Sequence, residues 1–381
     1  MFSKMEAANC KLPDAYSCCG CEACQEICPP NAIKMEEGKG GFLFPVIEQS
    51  KCIRCGACEK VCPIINKKKI QLPKHNIKCF AGYLKDAAEL KSTASGGIAT
   101  AFAKMVVKQG GVVYGVSYSD EYKNAEYIEC RNENDLKMIR SSRYIQGAKK
   151  QLYSKIKQNI DNGINVLVFG LPCEIAAVKS YIGKDYKNLI TCELICHGPT
   201  SQKIQKSFIE LLEKRYHSTI QEFNVRYNED TWSNPYVYAK FSNGKIYKKA
   251  LYKTDFGFAF AHFIRPSCYH CHYKGENRVA DITIGDFWGD IKSENWYNKD
   301  GVSAIMLHTD KGMRFINSVD NILLFEAQYE RIKSGNPRLE EPEPETKKSK
   351  IFRERFEKYG LSLTCMLTRD LGDFINLLFG K

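Results

Sequence analysis

Two runs of cysteine constrain this chain more than any other feature in it. The first is Cys18-x-x-Cys21-x-x-Cys24-x-x-x-Cys28-Pro29, and the second is Cys52-x-x-Cys55-x-x-Cys58-x-x-x-Cys62-Pro63. Two-residue gaps let a tight backbone loop present three thiolates to three corners of one iron–sulfur cubane. The fourth cysteine, beyond a short turn, points toward a second cubane. The spacing therefore assigns Cys18, Cys21, Cys24 and Cys62 to one 4Fe–4S cluster, and Cys28, Cys52, Cys55 and Cys58 to another. Zinc is the alternative, but zinc prefers two Cys-x-x-Cys hooks with a longer spacer. Cys19 reads as a bystander because using it would break the spacing, and Cys10, Cys79, Cys130, Cys192 and Cys365 match no ligand pattern.

Both runs match the four-cysteine run of bacterial ferredoxins, so residues 1–65 read as an α+β ferredoxin-like domain with two 4Fe–4S clusters. The chain has 381 residues and is 44% hydrophobic, enough apolar material for a core that needs no disulfide staples. Its 18 cysteines then point to metal ligation or redox work in a reducing compartment. No apolar run approaches the roughly 18 residues of a membrane span, and Met1 to Cys10 has no stretch like a secretory signal. The expectation is a cytoplasmic protein without a transmembrane segment.

The formal charge of +12 is unevenly spread: residues 1–65 hold seven Lys/Arg against eight Asp/Glu, leaving +13 on the remainder. A basic body suits an anionic cofactor or an acidic protein partner. No nucleic-acid motif accompanies the charge, so nucleic acid is set aside.

Residues 66–78 read as a linker, followed by an α/β body. Helices are expected over 95–109, 151–162, 174–181 and 202–216, with strands over 111–118, 165–169, 189–196 and 280–285 and a hairpin over 236–249 turning at Asn243-Gly244. The strand–loop–helix order around Gly170-Leu-Pro-Cys173 is that of a sheet whose ligands sit at the carboxyl ends of its strands. Residues 333–350 read as a linker or wrapping arm. The tail from Ile351 reads as an amphipathic helix that docks through Leu371, Phe374, Ile375 and Leu378.

The body carries six short motifs in order: Ser95-Gly-Gly97, Ser142-Arg-Tyr-Ile-Gln146, Gly170-Leu-Pro-Cys173-Glu-Ile-Ala, Cys196-His-Gly198, Arg265-Pro-Ser-Cys268-Tyr-His-Cys271 and Asp281-Ile-Thr-Ile-Gly-Asp-Phe-Trp-Gly289. In these it resembles the coenzyme F420 hydrogenase/dehydrogenase beta-subunit family, from about Ser92 to about Asp290. A ferredoxin domain ahead of such a body is like the longer members of that family. The resemblance implies a non-covalent FAD, a third 4Fe–4S cluster and electron exchange between a hydride carrier and iron–sulfur partners. It divides the body into residues 79–160, binding the flavin phosphates, and 161–330, holding the third cluster and flavin site, before a linker and helical tail over 331–381.

Cys173 and Cys196 each follow a strand, and Cys268 and Cys271 form a Cys-x-x-Cys hook. Together they would make a complete ligand set for a cubane; zinc, a redox dithiol or buried cysteines are the other readings. Ser95, Gly96 and Gly97 at a helix start offer N–H groups and a hydroxyl to a flavin pyrophosphate, or form an ordinary cap. Ser142, Arg143, Tyr144 and Gln146 would hydrogen-bond to or stack on the flavin, or form a polar helix entry. Asp286 would orient a cluster loop or the flavin ring, or cap a turn, and His197 would shuttle a proton or stay structural. No motif names a catalytic residue.

A cubane passes one electron and a hydride carrier two, and a flavin reconciles them. The leading expectation is an oxidoreductase moving electrons between a carrier such as coenzyme F420 and the clusters, with ferredoxin or another redox protein as partner. The alternatives are a ferredoxin-dependent reductase of a small organic substrate and a non-catalytic relay subunit of a larger redox complex.

Overall fold

The computed structural model describes residues 10–70, 77–229 and 231–379. Part of the expected linker, residues 71–76, lies outside the described residues. The body is built on an eight-stranded mixed sheet. Across it the strands run Ile322–Ala327, Lys78–Leu84, Ser303–Leu307, Ile282–Asp286, Leu189–Leu194, Val166–Gly170, Val112–Ser119 and Asn124–Cys130.

The central strands Ile282–Asp286, Leu189–Leu194, Val166–Gly170 and Val112–Ser119 are parallel. Parallel strands covered on both faces require apolar side chains throughout, and Val166, Leu167 and Val168 are all buried. Their flanking helices include Ile98–Lys108, Leu152–Asp161 and Pro172–Ile182. Helix Gln202–Tyr216 instead packs with a three-stranded antiparallel sheet, Ile220–Tyr227, Tyr236–Phe241 and Ile246–Ala250, in a separate apolar cluster.

The ferredoxin segment is small: a hairpin of Ile33–Glu37 with Leu43–Ile47 and two short helices, Ala23–Glu26 and Ala57–Val61. Each short helix follows a residue in the left-handed region, Glu22 (φ 63) and Gly56 (φ 70). That backbone turns the chain sharply enough to aim successive thiols inward.

The helical tail departs from its expected docking. Leu371, Phe374 and Ile375 are exposed, and the side chain of Leu378 lies outside the described residues. The tail is held further upstream by Phe352, Phe356, Leu361 and Cys365, which join the cluster around Phe208 and Phe256.

One buried base titrates within reach of ordinary buffers. His308 is 7% exposed, and its Nε2 lies 2.8 Å from the Thr283 hydroxyl. Burial pushes its pKa from 6.5 down to about 4. Below pH 6.5 the unfolded chain binds a proton that the native site refuses until about pH 4, so stability falls across that window. At 1.36 kcal/mol per pKa unit the loss amounts to about 3 kcal/mol. Denaturant titrations at pH 7 and pH 4.5 should show this fall, and it should be smaller in a His308→Gln chain.

Candidate redox centre

Among the described residues no three His, Cys, Asp or Glu side chains converge on a single-ion site. A cubane takes its thiolates at its corners, so the relevant observation is which thiols face one another. Cys24 interacts electrostatically with Cys21, Cys18 and Cys62, and Cys62 with Cys21 and Cys18. Three thiols of the first run thus meet the last thiol of the second. Cys28, Cys52, Cys55 and Cys58 line one small cavity, which Cys10 also borders. Backbone N–H groups point at these sulfurs, from Gly20 to Cys18 Sγ (3.4 Å) and from Ala32 to Cys28 Sγ (3.3 Å). Such donors are what an anionic cluster's ligands need.

The four body cysteines also converge. Cys173 interacts with Cys271 and Cys268, Cys196 with Cys271, and Cys268 with both Cys196 and Cys271. They come together because Val166–Gly170 and Leu189–Leu194 are neighbouring parallel strands, so Cys173 and Cys196 leave the same edge of the sheet. The hook Cys268–Cys271 lies on the turn Pro266–His270 and its end.

Burial carries Cys62 and Cys196 up to about 11 and Cys58 to about 12. At Cys173 a hydrogen bond from the Cys19 thiol works downward, but burial and the charges of Glu174, Cys271 and Cys268 prevail, at about 11. These thiols hold their protons at neutral pH until a metal displaces them.

Cys19 is therefore more than a bystander by position: its thiol hydrogen-bonds to both Cys21 and Cys173, ligand-type residues of two different quartets. Nothing in its spacing announced this. The contact exists because body side chains grip the ferredoxin segment's backbone. Gln146 Nε2 donates to the carbonyls of Cys19 (2.8 Å) and Gly20 (3.1 Å). Tyr273 donates to the Pro63 carbonyl (2.8 Å) and Tyr153 to that of Cys21 (2.5 Å). In return Glu26 accepts from the Ser154 N–H (2.6 Å).

Beneath this contact lies a buried ion pair, Lys149 Nζ to Glu174 Oε1 at 2.8 Å, its side chains 1% and 3% exposed. Glu174 also accepts from the Tyr127 hydroxyl (2.6 Å) and the Leu171 N–H (3.0 Å).

The other expected site residues lie along the same carboxyl edge. Ser95 donates to the Val302 carbonyl (3.0 Å), and a Cβ on Gly96 would come within 2.3 Å of the Gly82 carbonyl oxygen. Gly97, at φ 74, opens helix Ile98–Lys108 with no side-chain cap. Arg143 spends its terminal nitrogens on the carbonyls of Arg140, Ser141 and Met138. Tyr144 stacks on Phe260 with centroids 4.4 Å apart. Ser142 hydrogen-bonds to Tyr144, in an irregular segment rather than a helix entry. His197 lies 3.3 Å from a Glu343 carboxylate oxygen.

Sequence reasoning missed Arg226, whose Nη2 pairs with Asp286 Oδ2 at 2.7 Å, and Asn228, which donates to the Thr93 carbonyl (2.8 Å). Arg226 Nε, Asn228 Oδ1, Arg140 Nε and Arg143 Nε are buried without a hydrogen-bond partner. Buried polar atoms left unsatisfied are costly.

The fold and its cysteines define an iron–sulfur protein of the redox class. Residues 17–65 match the model of the 4Fe-4S dicluster domain. Residues 164–330 match the model described as the C terminus of the coenzyme F420 hydrogenase/dehydrogenase beta subunit. A chain in a solved structure, titled as a xenon derivatization of the F420-reducing [NiFe] hydrogenase complex from Methanosarcina barkeri, is 18% identical, with a TM-score of 0.47 over 74% of this chain and 92% of that one. A comparison with curated proteins finds no match. No described helix is long and apolar enough to cross a membrane.

Proposed function

We propose that this chain is an iron–sulfur flavoprotein that moves electrons between a hydride carrier, coenzyme F420 or a similar molecule, and a redox protein partner. The observation that carries the reading is the contact of Cys19 with both Cys21 and Cys173. It puts the body quartet and the ferredoxin quartet side by side, the arrangement a one-electron path requires.

In this reading Cys173, Cys196, Cys268 and Cys271 hold a third 4Fe–4S cluster. Ser95, Gly96 and Gly97, at the uncapped helix start, take the phosphates of FAD. Ser142, Arg143 and Tyr144, with the unsatisfied groups of Arg226 and Asn228, hold its remainder, and Gln146 serves the cluster loop instead. FAD supplies two-electron hydride exchange coupled to one-electron release. The chain's own part is to place that exchange next to Asp286 and Cys196, which leave adjacent strands of the sheet. The basic body suits the acidic tail of F420. Residues 1–65 then form the outward terminal and 79–330 the carrier-facing unit.

Protein purified without air should carry about twelve irons, matching sulfide and one FAD per chain. Anaerobic addition of reduced F420 should bleach the flavin, whereas NADH and NADPH should not. Three clusters without flavin would instead leave a relay subunit. Flavin reduced only through ferredoxin would leave the reductase of an organic substrate.

A further inference from the structure

Buried cations in this fold are ordinarily paired with a carboxylate. Lys149 has Glu174, Arg278 has Glu193 and Arg226 has Asp286. Two are not. Arg265 is 1% exposed and spends its guanidinium on neutral oxygens: the carbonyls of Cys18 (2.8 Å) and Leu43 (2.7 Å) and the Gln146 amide oxygen (3.0 Å). It also lies over the Phe44 ring, 4.6 Å from the centroid, and reaches Cys18 Sγ at 3.8 Å. Gly20 runs so close that a Cβ there would lie 2.4 Å from Arg265 Nη1.

Lys274 is 7% exposed, and its ammonium reaches only the carbonyls of Cys196 (2.5 Å) and Arg338 (2.7 Å). Among the described residues neither has a carboxylate oxygen within 4.0 Å. A buried charge without a counter-charge is strongly unfavourable. Both cations border thiols, Arg265 at Cys18 and Cys268, Lys274 at Cys196 and Cys268. The cavity of Cys28, Cys52, Cys55 and Cys58 is lined by one cationic residue, Arg54, which is exposed to solvent.

We propose that Arg265 and Lys274 are built-in counter-charges for two anionic clusters, one at Cys18, Cys21, Cys24 and Cys62 and one at the body quartet, and that they hold both at higher reduction potentials than the outer cluster. The inference rests on the cluster reading above. Each one-electron reduction adds a negative charge to a thiolate-bound cubane, so a fixed cation in a low-dielectric setting favours the reduced state. The two inner positions thus become the preferred resting place of an electron, and the outer quartet the step at which it is handed on. Arg265 and Lys274 are positioning residues in this scheme, acting through the thiolates beside them.

The test is a potentiometric titration of the iron-loaded full chain, followed by electron paramagnetic resonance, with signals assigned using Cys173→Ala and Cys55→Ala. Arg265→Gln should make the Cys18-side cluster at least tenfold harder to reduce, about 59 mV downward for a one-electron couple. Lys274→Gln should do the same to the body cluster. The outer cluster should move least, and Arg265→Lys, which keeps the charge, should restore most of the shift. If Arg265→Gln loses iron, Gln146→Glu replaces it: a carboxylate facing the guanidinium should lower the same potential. Full iron content with unmoved potentials in these variants overturns the proposal. Absence of iron and sulfide from the wild-type chain overturns the cluster reading beneath it.

Discussion

A Cys173→Ala chain is expected to lose about four irons per molecule while keeping flavin and both ferredoxin clusters. Cys173 stands among Cys196, Cys268 and Cys271 and is also the body residue that meets the Cys19 thiol. In the proposed arrangement its removal deletes a corner ligand and the hydrogen bond to Cys19 together. Reduced carrier should still bleach the flavin, but the ferredoxin clusters should no longer follow on the same timescale. Stopped-flow absorbance of flavin and clusters in one anaerobic mixture separates the two events. Unchanged transfer in this variant would refute the path through the body quartet.

The second large effect concerns stability. Lys149→Met should cost about 3–5 kcal/mol, because it strands the Glu174 carboxylate in the core. Glu174 would keep its bonds from Tyr127 and Leu171 but lose the only full positive charge paired with it among the described residues. Burial alone would lower the Lys149 pKa; the Glu174 and Glu22 charges outweigh it, so the ammonium stands above the ordinary lysine value. The double variant Lys149→Met with Glu174→Met should recover much of the loss, since it removes both buried charges. Denaturant midpoints of the two chains measure the difference, and equal midpoints would mean that the pair is not the source of the effect.

Much of the fold was legible because its parallel strands are continuous apolar runs. The strand at Val166–Gly170 and the helix at Gln202–Tyr216 are visible as periodicity, and so is the hairpin around Asn243-Gly244. The sheet's outer strands were not. Lys78–Leu84 reads KCFAGYL, with glycine and lysine in place of a clean alternation, and Ile322–Ala327 reads ILLFEA, with no period-two pattern although Asp320-Asn321 turns the chain before it.

The N-terminal thiols are written in local spacing, so the sequence places them directly. The body quartet is spread over 99 positions, from Cys173 to Cys271, and only the adjacency of two strands brings it together. Arg226, Asn228 and Cys19 carry no local signature for their long-range partners Asp286, Thr93 and Cys173, which lie 60 or more residues away in sequence. Gln146, which the motif resemblance assigns to a flavin, donates to the carbonyls of the cluster loop. A polar residue in a motif shows that something is bound there without showing what.

The body holds the ferredoxin segment largely by its peptide oxygens, those of Cys18, Cys19, Gly20, Cys21, Leu43 and Pro63. Every amino acid supplies that oxygen. Apart from the cysteines, Gly20 and the carboxylates of Glu22 and Glu26, the loops can therefore exchange side chains, and with them the reduction properties of the metal they wrap, while the seat stays fitted. What the seat cannot tolerate is a change of backbone path, so insertions there should detach the segment where substitutions would not.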